Sequence, residues 1–315
     1  MNKSFKKFIA FTVCATAGIH CINRIINYTA TLKNLLGSDK GNFYNWKNGD
    51  IFYTVSGSGS PVLLVHDLHP ASSSVEWSKV IKKLEKNHKV YCIDILGCGR
   101  SDKPAITYTS YLFVQMINDF VKDVIKEETT LIATGASSSF SIMTNIMNPE
   151  NFKKVIVVNP ECLSDLMSQP NKKKVLYKYF MDCPIFGTFF YNVEMGHNNI
   201  IKMLQGKCYS NNRMVPTKIT EMYFEAAHLG NEKGRHLLSS ICAGYTNVNV
   251  GHAIPKIKNL CIIGSRERAN NMKIIDEYTR VNSTIETASV SGSKYLPQLE
   301  VPEKFYDVLN MFLNK

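Results

Sequence analysis

Gly135-Ala136-Ser137-Ser138-Ser139 is the stretch best suited to chemistry. It follows an apolar run, Leu131-Ile132-Ala133, and leads into residues at helical spacing, Phe140, Ile142, Met143 and Ile146. A serine at a sharp strand-to-helix turn presents its hydroxyl above a sheet, the arrangement written G-x-S-x-G. Amide N–H groups at the start of the helix then face the group under attack and can hold a developing oxyanion. Gly135 and Ser137 fit this pattern, and Ser139 stands where the second glycine belongs. On these residues alone, a serine-rich helix cap after a strand is the stronger reading. A working serine also needs a base to take its proton and an acid to orient that base.

The elements around this turn alternate. Apolar runs read as strands at 51–55, 61–65, 90–95, 130–134, 155–158, 260–263 and 284–288. Amphipathic spacing predicts helices over 75–85, 111–125 and 305–313. Strand–helix alternation implies a mostly parallel sheet with right-handed crossovers. No strand signal breaks residues 161–255, a helical, aromatic and basic stretch too long for a loop. It reads as an inserted helical lid. The core is then 49–160 together with 256–315, preceded by a polar connector over 28–48.

The chain has 315 residues and a net charge of +11. Its lysines lie scattered or in short runs such as Lys172-Lys173-Lys174, without a nucleic-acid-binding motif. A solvated surface or a nearby membrane accounts for them better than nucleic acid does. Nine cysteines without a C-x-x-C pair suggest buried thiols, and neither a disulfide framework nor a metal site. No cofactor motif is present: Gly97-x-Gly99 does not follow the phosphate-binding pattern.

Residues 1–27 open with Lys3, Lys6 and Lys7, followed by an apolar run from Phe8 to Ile22. Three readings fit: an uncleaved membrane anchor, taken first; a signal peptide cleaved near Ala15-Thr16-Ala17; and an amphipathic helix lying on a surface. The first places the chain at a membrane, the second makes it secreted, and the third also allows a cytoplasmic protein.

Several motifs occur in a recognisable order. Val65-His66-Asp67-Leu68-His69 follows a strand, with Trp77 in the next helix. Asp94-Ile95-Leu96-Gly97-Cys98-Gly99-Arg100-Ser101-Asp102-Lys103-Pro104 is close to D-x-x-G-x-G-x-S-x-x-P. Gly264-Ser265-Arg266-Glu267 ends a later strand, and Leu296-Pro297-Gln298-Leu299-Glu300-Val301-Pro302-Glu303 precedes the last helix. Over roughly residues 47–314 the chain resembles the α/β-hydrolase superfamily, in particular its lidded esterase and peroxidase-like group. The resemblance implies an α/β-hydrolase fold with a mostly parallel central sheet and an inserted helical lid. It also implies Ser137 as nucleophile, Glu267 as the acid, and the backbone N–H groups of Leu68 and Ser138 as the oxyanion hole.

The histidine implied just before Leu296 is missing, and Tyr295 stands in its place. A phenol with an ordinary pKa near 10 is a poor base at neutral pH. Tyr295 is expected to fill the vacated space and to bond Glu267. His69 is the best substitute base by position, and His66 is expected to hold its loop. His197, His228, His236 and His252 fall in or at the end of the lid. Asp67 replaces a glycine of the oxyanion loop, and its carboxylate would oppose an oxyanion if it pointed inward.

Two functions follow. One is a serine hydrolase for a small apolar ester or related acyl substrate, using Ser137, Glu267 and an unorthodox base, with impaired catalysis. The other is a non-catalytic protein that binds a small apolar ligand, or acts as a membrane-tethered interaction protein, on the same scaffold.

Overall fold

The computed structural model describes residues 3–37, 41–230 and 233–314. Residues 1–2 of the expected N-terminal segment and 38–40 of the expected connector lie outside these.

Eight strands form one sheet: β1 (Asn42–Trp46), β2 (Gly49–Ser56), β3 (Ser60–Val65), β4 (His88–Ile93), β5 (Thr129–Thr134), β6 (Phe152–Val158), β7 (Leu260–Ser265) and β8 (Glu286–Val290). Their spatial order is β1-β2-β4-β3-β5-β6-β7-β8. The β1–β2 and β2–β4 pairs are antiparallel and all the others parallel. This is the α/β-hydrolase fold expected from the residue pattern.

The continuous apolar runs have a direct cause. Successive strand side chains point to opposite faces, so a sheet covered on both sides needs apolar residues at every position. Leu63, Val65, Leu131 and Val155 lie in one core with Phe113, Phe120 and Phe140. Val62, Leu64, Ile132 and Ile156 lie in the opposite core with Trp77, Phe305 and Leu309. Each such fully buried side chain contributes ~1.5–3 kcal/mol relative to exposure.

The helices are α1 (Lys3–Thr31), α2 (Ser78–Leu84), α3 (Ser110–Phe120), α4 (Ser137–Met147), α5 (Leu163–Leu166), α6 (Lys172–Asp182), α7 (Phe186–Glu194), α8 (His197–Met203), α9 (Thr217–His228), α10 (Gly234–Ala243), α11 (Asn271–Val281), α12 (Pro297–Glu300) and α13 (Pro302–Leu313). Helices α5–α10 lie between β6 and β7, with no strand among the described residues there. This insert has its own core, in which Tyr191, Ile200, Leu204 and Tyr223 pack with Tyr295, Leu296 and Leu299 of the main body.

Two expectations are corrected, and one element is added. The polar connector over 28–48 instead holds the end of α1 and strand β1. That strand pairs with β2 as a hairpin through Lys47-Asn48, and only Trp46 of its side chains is buried, so its sequence carries little apolar signal. The last strand lies at 286–290 rather than 284–288, an edge strand burying only Val290. Helix α11 was not foreseen, because Asn271, Ile274 and Tyr278 alone carry its buried stripe.

Helix α1 is tied to the insert at its C-terminal end. Asn23 Nδ2 donates to the Ile185 carbonyl (3.0 Å), and Asn192 Nδ2 donates to Asn23 Oδ1 (3.0 Å). Beyond the helix, the Leu35 and Leu36 amides donate to the two oxygens of buried Glu225, at 2.8 and 3.0 Å. These bonds satisfy two backbone N–H groups of the segment that follows α1.

A candidate active-site pocket closed by Asp67 and Tyr295

Strand β5 runs into α4 through Gly135 and Ala136. Gly135 has φ +60°, the left-handed conformation that the residue at the apex of a strand-to-helix elbow adopts. Its N–H donates to Val158 O on β6 (2.9 Å), which fixes the apex at the end of the sheet. The placement of Ser137 at the apex is therefore corrected: the apex is two residues earlier and carries no side chain. Ser137 is the first residue of α4, fully buried, and its Oγ donates to the His66 carbonyl (2.6 Å). Both readings fit the letters, because Ala133 and Ser137 flank Gly135 at the same spacing as Gly135 and Ser139 flank Ser137. Only the dihedral angle separates them.

The oxyanion donors shift with the apex. They are the N–H of the residue after it and an N–H from the loop after β3. Here these are Ala136 and Leu68, and both donate to Asp67 Oδ1, at 2.8 and 2.9 Å. The Leu68 N–H expected for an oxyanion is thus occupied by Asp67. The Ser138 N–H, the other donor expected there, donates to Gly135 O (3.1 Å). Asp67 points inward, and its carboxylate takes the position an oxyanion would occupy.

Tyr295 closes the other side. It is buried, and its Oη donates to Glu161 Oε1 (3.1 Å) rather than to Glu267. Lys207 Nζ lies over its ring at 4.7 Å and the Arg268 guanidinium at 5.2 Å, both within cation–π range. A Cβ placed on Gly135 would collide with Tyr295 Oη and Asp67 Oδ1. The apex lacks a side chain, and the space for one is taken. Glu267 is exposed and accepts from the N–H groups of Gly292 (2.8 Å) and Ser293 (3.1 Å).

Of the histidines, His69 lies beside Asp67 and lines both spaces at the site, while those of the insert bond elsewhere. His66 Nδ1 meets the Asp67 carbonyl (2.7 Å) and Nε2 accepts from the Ile95 N–H (3.1 Å), so the ring is neutral, and burial lowers its pKa. His69 Nδ1 accepts from the Ala71 N–H (3.2 Å). Burial lowers its pKa to about 4, against the pull of Asp67. His197 meets Glu221, His228 the Phe224 carbonyl and His236 Asp182, while His252 is exposed.

Sequence reading missed Glu76. Its Oε2 accepts from the Asp67 N–H (2.9 Å) and its Oε1 from the Tyr223 hydroxyl (3.0 Å). Burial, followed by the charge of Asp67, pushes its pKa up to about 8. A fully buried glutamate between Val75 and Trp77, in a serine-rich stretch, carries no sequence signal that separates it from a surface charge.

Glu76 predicts a measurable pH dependence. The folded state keeps this proton up to about pH 8, whereas the unfolded chain releases it near 4.5. Between these values the native state binds more protons, so its stability falls as pH rises, by up to ~1.4 kcal/mol per pH unit for one group. Urea midpoints measured from pH 5 to 8 will fall in the parent, and Glu76→Gln will remove that component. An unchanged slope in the variant would refute the assignment.

Two spaces remain. Behind Asp67 and Tyr295 lies a cavity of about 20 Å³ between His69, Glu76, Cys208 and Tyr223, room for about one water. In front lies an open cleft of about 320 Å³, lined by Glu161, Asp165, Leu166, Lys207, Ile241 and Tyr295 among others. Among the described residues, no group of three or more histidine, cysteine or carboxylate side chains is placed to hold a metal ion.

Comparison with known proteins agrees with this architecture. The family pattern described as alpha/beta hydrolase fold matches residues 60–182. The 2-hydroxy-6-oxo-6-(2'-aminophenyl)hexa-2,4-dienoic acid hydrolase of Metapseudomonas resinovorans is 29% identical over 126 residues, which is 40% of each chain. This chain therefore matches well under two thirds of that relative's length. Among solved structures, a serine hydrolase involved in carbazole degradation superposes with a TM-score of 0.72 at 14% identity, over 87% of this chain and 98% of that one. A membrane phospholipase A superposes with a TM-score of 0.69 at 14% identity, over 99% of this chain and 98% of that one. At such identities these two structures speak to the fold alone. Taken with the sheet order, the inserted helices, the elbow after β5 and the family pattern over residues 60–182, they show that the chain has the α/β-hydrolase fold.

Proposed function

We propose that this chain is a membrane-tethered hydrolase-fold protein that binds a small ligand in the cleft before Tyr295 and does not hydrolyse esters. The observation that carries this reading is Asp67: its carboxylate accepts the two N–H groups that would hold an oxyanion, beside an elbow without a side chain. An anion fixed at that point opposes the negative charge that acyl transfer must develop there. Tyr295, whose pKa burial raises well above the ordinary phenol, supplies no base at neutral pH. The cavity behind it has no room for an acyl chain. The cleft lies at the small end of the range for ligand sites, and its mix of Leu166 and Ile241 with Glu161, Asp165 and Lys207 suits a small amphiphilic molecule.

The tether is α1. Residues 4–31 form a helix long and apolar enough to cross a membrane, buried only towards its C-terminal end, at Asn23, Asn27 and Ala30. The names of the relatives favour the alternative, an active hydrolase, and one experiment separates the two. A fluorophosphonate probe will leave the full chain unlabelled, and Ser137→Ala will behave identically. Labelling of the parent that Ser137→Ala abolishes would overturn the proposal.

A further inference from the structure

Helix α1 leaves the body of the protein beside the corner between α6 and α7. Asn23 is the first buried residue of α1, and the carbonyl its side chain meets belongs to Ile185, in that corner. Residues 4–22 are exposed except Thr16 and Ile19, which are half-buried. At 1.5 Å per residue they span about 28 Å, close to the ~30 Å of a hydrocarbon core. If α1 crosses a bilayer, the membrane surface meets the protein at this corner.

The corner is built as an apolar face. On α6, Leu176, Tyr179 and Phe180 follow helical i, i+3, i+4 spacing, and on α7 Phe186, Phe190 and Val193 follow i, i+4, i+7. All six are exposed, from 43% at Phe180 to 71% at Leu176. Phe180 and Phe190 pack edge to face at 5.1 Å, joining the two stripes into one surface. A contiguous patch of this kind is rare on a protein surrounded by water and marks a contact surface. Lys172 and Lys173, both exposed, lead into α6, and the exposed Arg24 follows Asn23 on α1. Basic residues around an apolar, aromatic face complement an anionic lipid surface.

We infer that the α6–α7 face lies in the interface of an anionic bilayer, seating the inserted helices on the membrane beside α1. The inference rests on the proposed crossing by α1, and adds a second, interfacial contact that fixes the orientation of the domain.

The test uses the full chain in phosphatidylcholine vesicles with 30% phosphatidylserine, some carrying phosphatidylcholine brominated high in its acyl chains. Tyr179→Trp and Phe190→Trp add an indole on the face. Met311→Trp adds one at an exposed site on α13, near the opposite end of the sheet. The native Trp46 and Trp77 are buried and set the background. Brominated lipid is expected to quench the added indoles of the first two variants at least twofold more than that of the third. Lys172→Gln with Lys173→Gln should weaken this on anionic vesicles and leave neutral vesicles unaffected.

Chain that resists alkaline extraction but shows equal quenching at all three sites would overturn the inference while leaving the α1 anchor intact. Equal quenching with Cys183–Cys183 cross-linking would assign the face to a second copy of the chain. Chain released by alkaline extraction would overturn the α1 crossing itself, and the inference with it. Quenching unaffected by the lysine substitutions would refute the requirement for anionic lipid.

Discussion

Asp67→Gly, Gly135→Ser and Tyr295→His, combined in one chain, will produce a serine that a fluorophosphonate labels, whereas none of the three alone will do so. The reason is steric and electrostatic. A Cβ at position 135 meets Tyr295 Oη and Asp67 Oδ1, so Gly135→Ser alone strains the fold and gains no reactivity. Asp67→Gly alone frees the Leu68 and Ala136 N–H groups, but nothing is present to attack. Tyr295→His alone supplies an imidazole without a nucleophile. Together they restore a hydroxyl, a base and two free donors. Oxyanion donors and general bases are each typically worth 10²–10⁴-fold. The expected gain in probe labelling and nitrophenyl acetate hydrolysis is therefore at least ~100-fold over the parent. A folded triple variant that remains inert would show that the closure of this centre involves more than these three positions.

Asp94→Ala should cost about 3–5 kcal/mol, the range for removing one partner of a buried ion pair. Asp94 is fully buried and accepts from the Ser74 N–H (2.7 Å), the Arg100 N–H (2.9 Å) and Arg100 Nε (2.8 Å). Without it, the Arg100 guanidinium, stacked on Phe52 at 3.8 Å, keeps its charge in a nearly closed site. Burial alone would raise the Asp94 pKa, but the charge and hydrogen bonds of Arg100 outweigh it and hold the carboxyl below its ordinary value. The pair therefore stabilises the fold above about pH 3.8, the unfolded value, and that contribution is lost as pH falls through the lower folded pKa. A drop in the urea midpoint at pH 7 with an unchanged m-value would confirm the cost. A loss below ~1 kcal/mol would show that the turn holds without the pair.

The sequence disclosed the sheet because its strands are covered on both faces and must be apolar throughout. Leu63-Leu64-Val65 and Leu131-Ile132-Ala133 admit no other placement once the helices between them are recognised. The edge strands β1 and β8 escaped, or shifted, because exposure leaves them free of that demand. The elbow was found as a region and misplaced by two residues. Its register is set by which residue takes φ near +60°, a property that Gly135-x-Ser137 and Ala133-x-Gly135 do not reveal as letters. Asp67 and Tyr295 were legible as departures from the family pattern. Their actual partners, Ala136 and Glu161, were not, because each is contributed by a segment about 70 or more residues away.

The bonds that fasten α1 have a mechanical meaning. Tension applied to the N-terminus is borne first by Asn23, through its bonds to Ile185 and Asn192, then by Lys33 through Glu221, and next by Glu225 through the amides of Leu35 and Leu36. Only after those give way does the load reach β1 at the edge of the sheet. Ile185 itself holds φ +68° and ψ −68°, a costly conformation for a β-branched residue. A pull along α1 would therefore distort the inserted helices long before it disturbed the strands around Gly135, and the chain would yield at its periphery while its centre stayed intact.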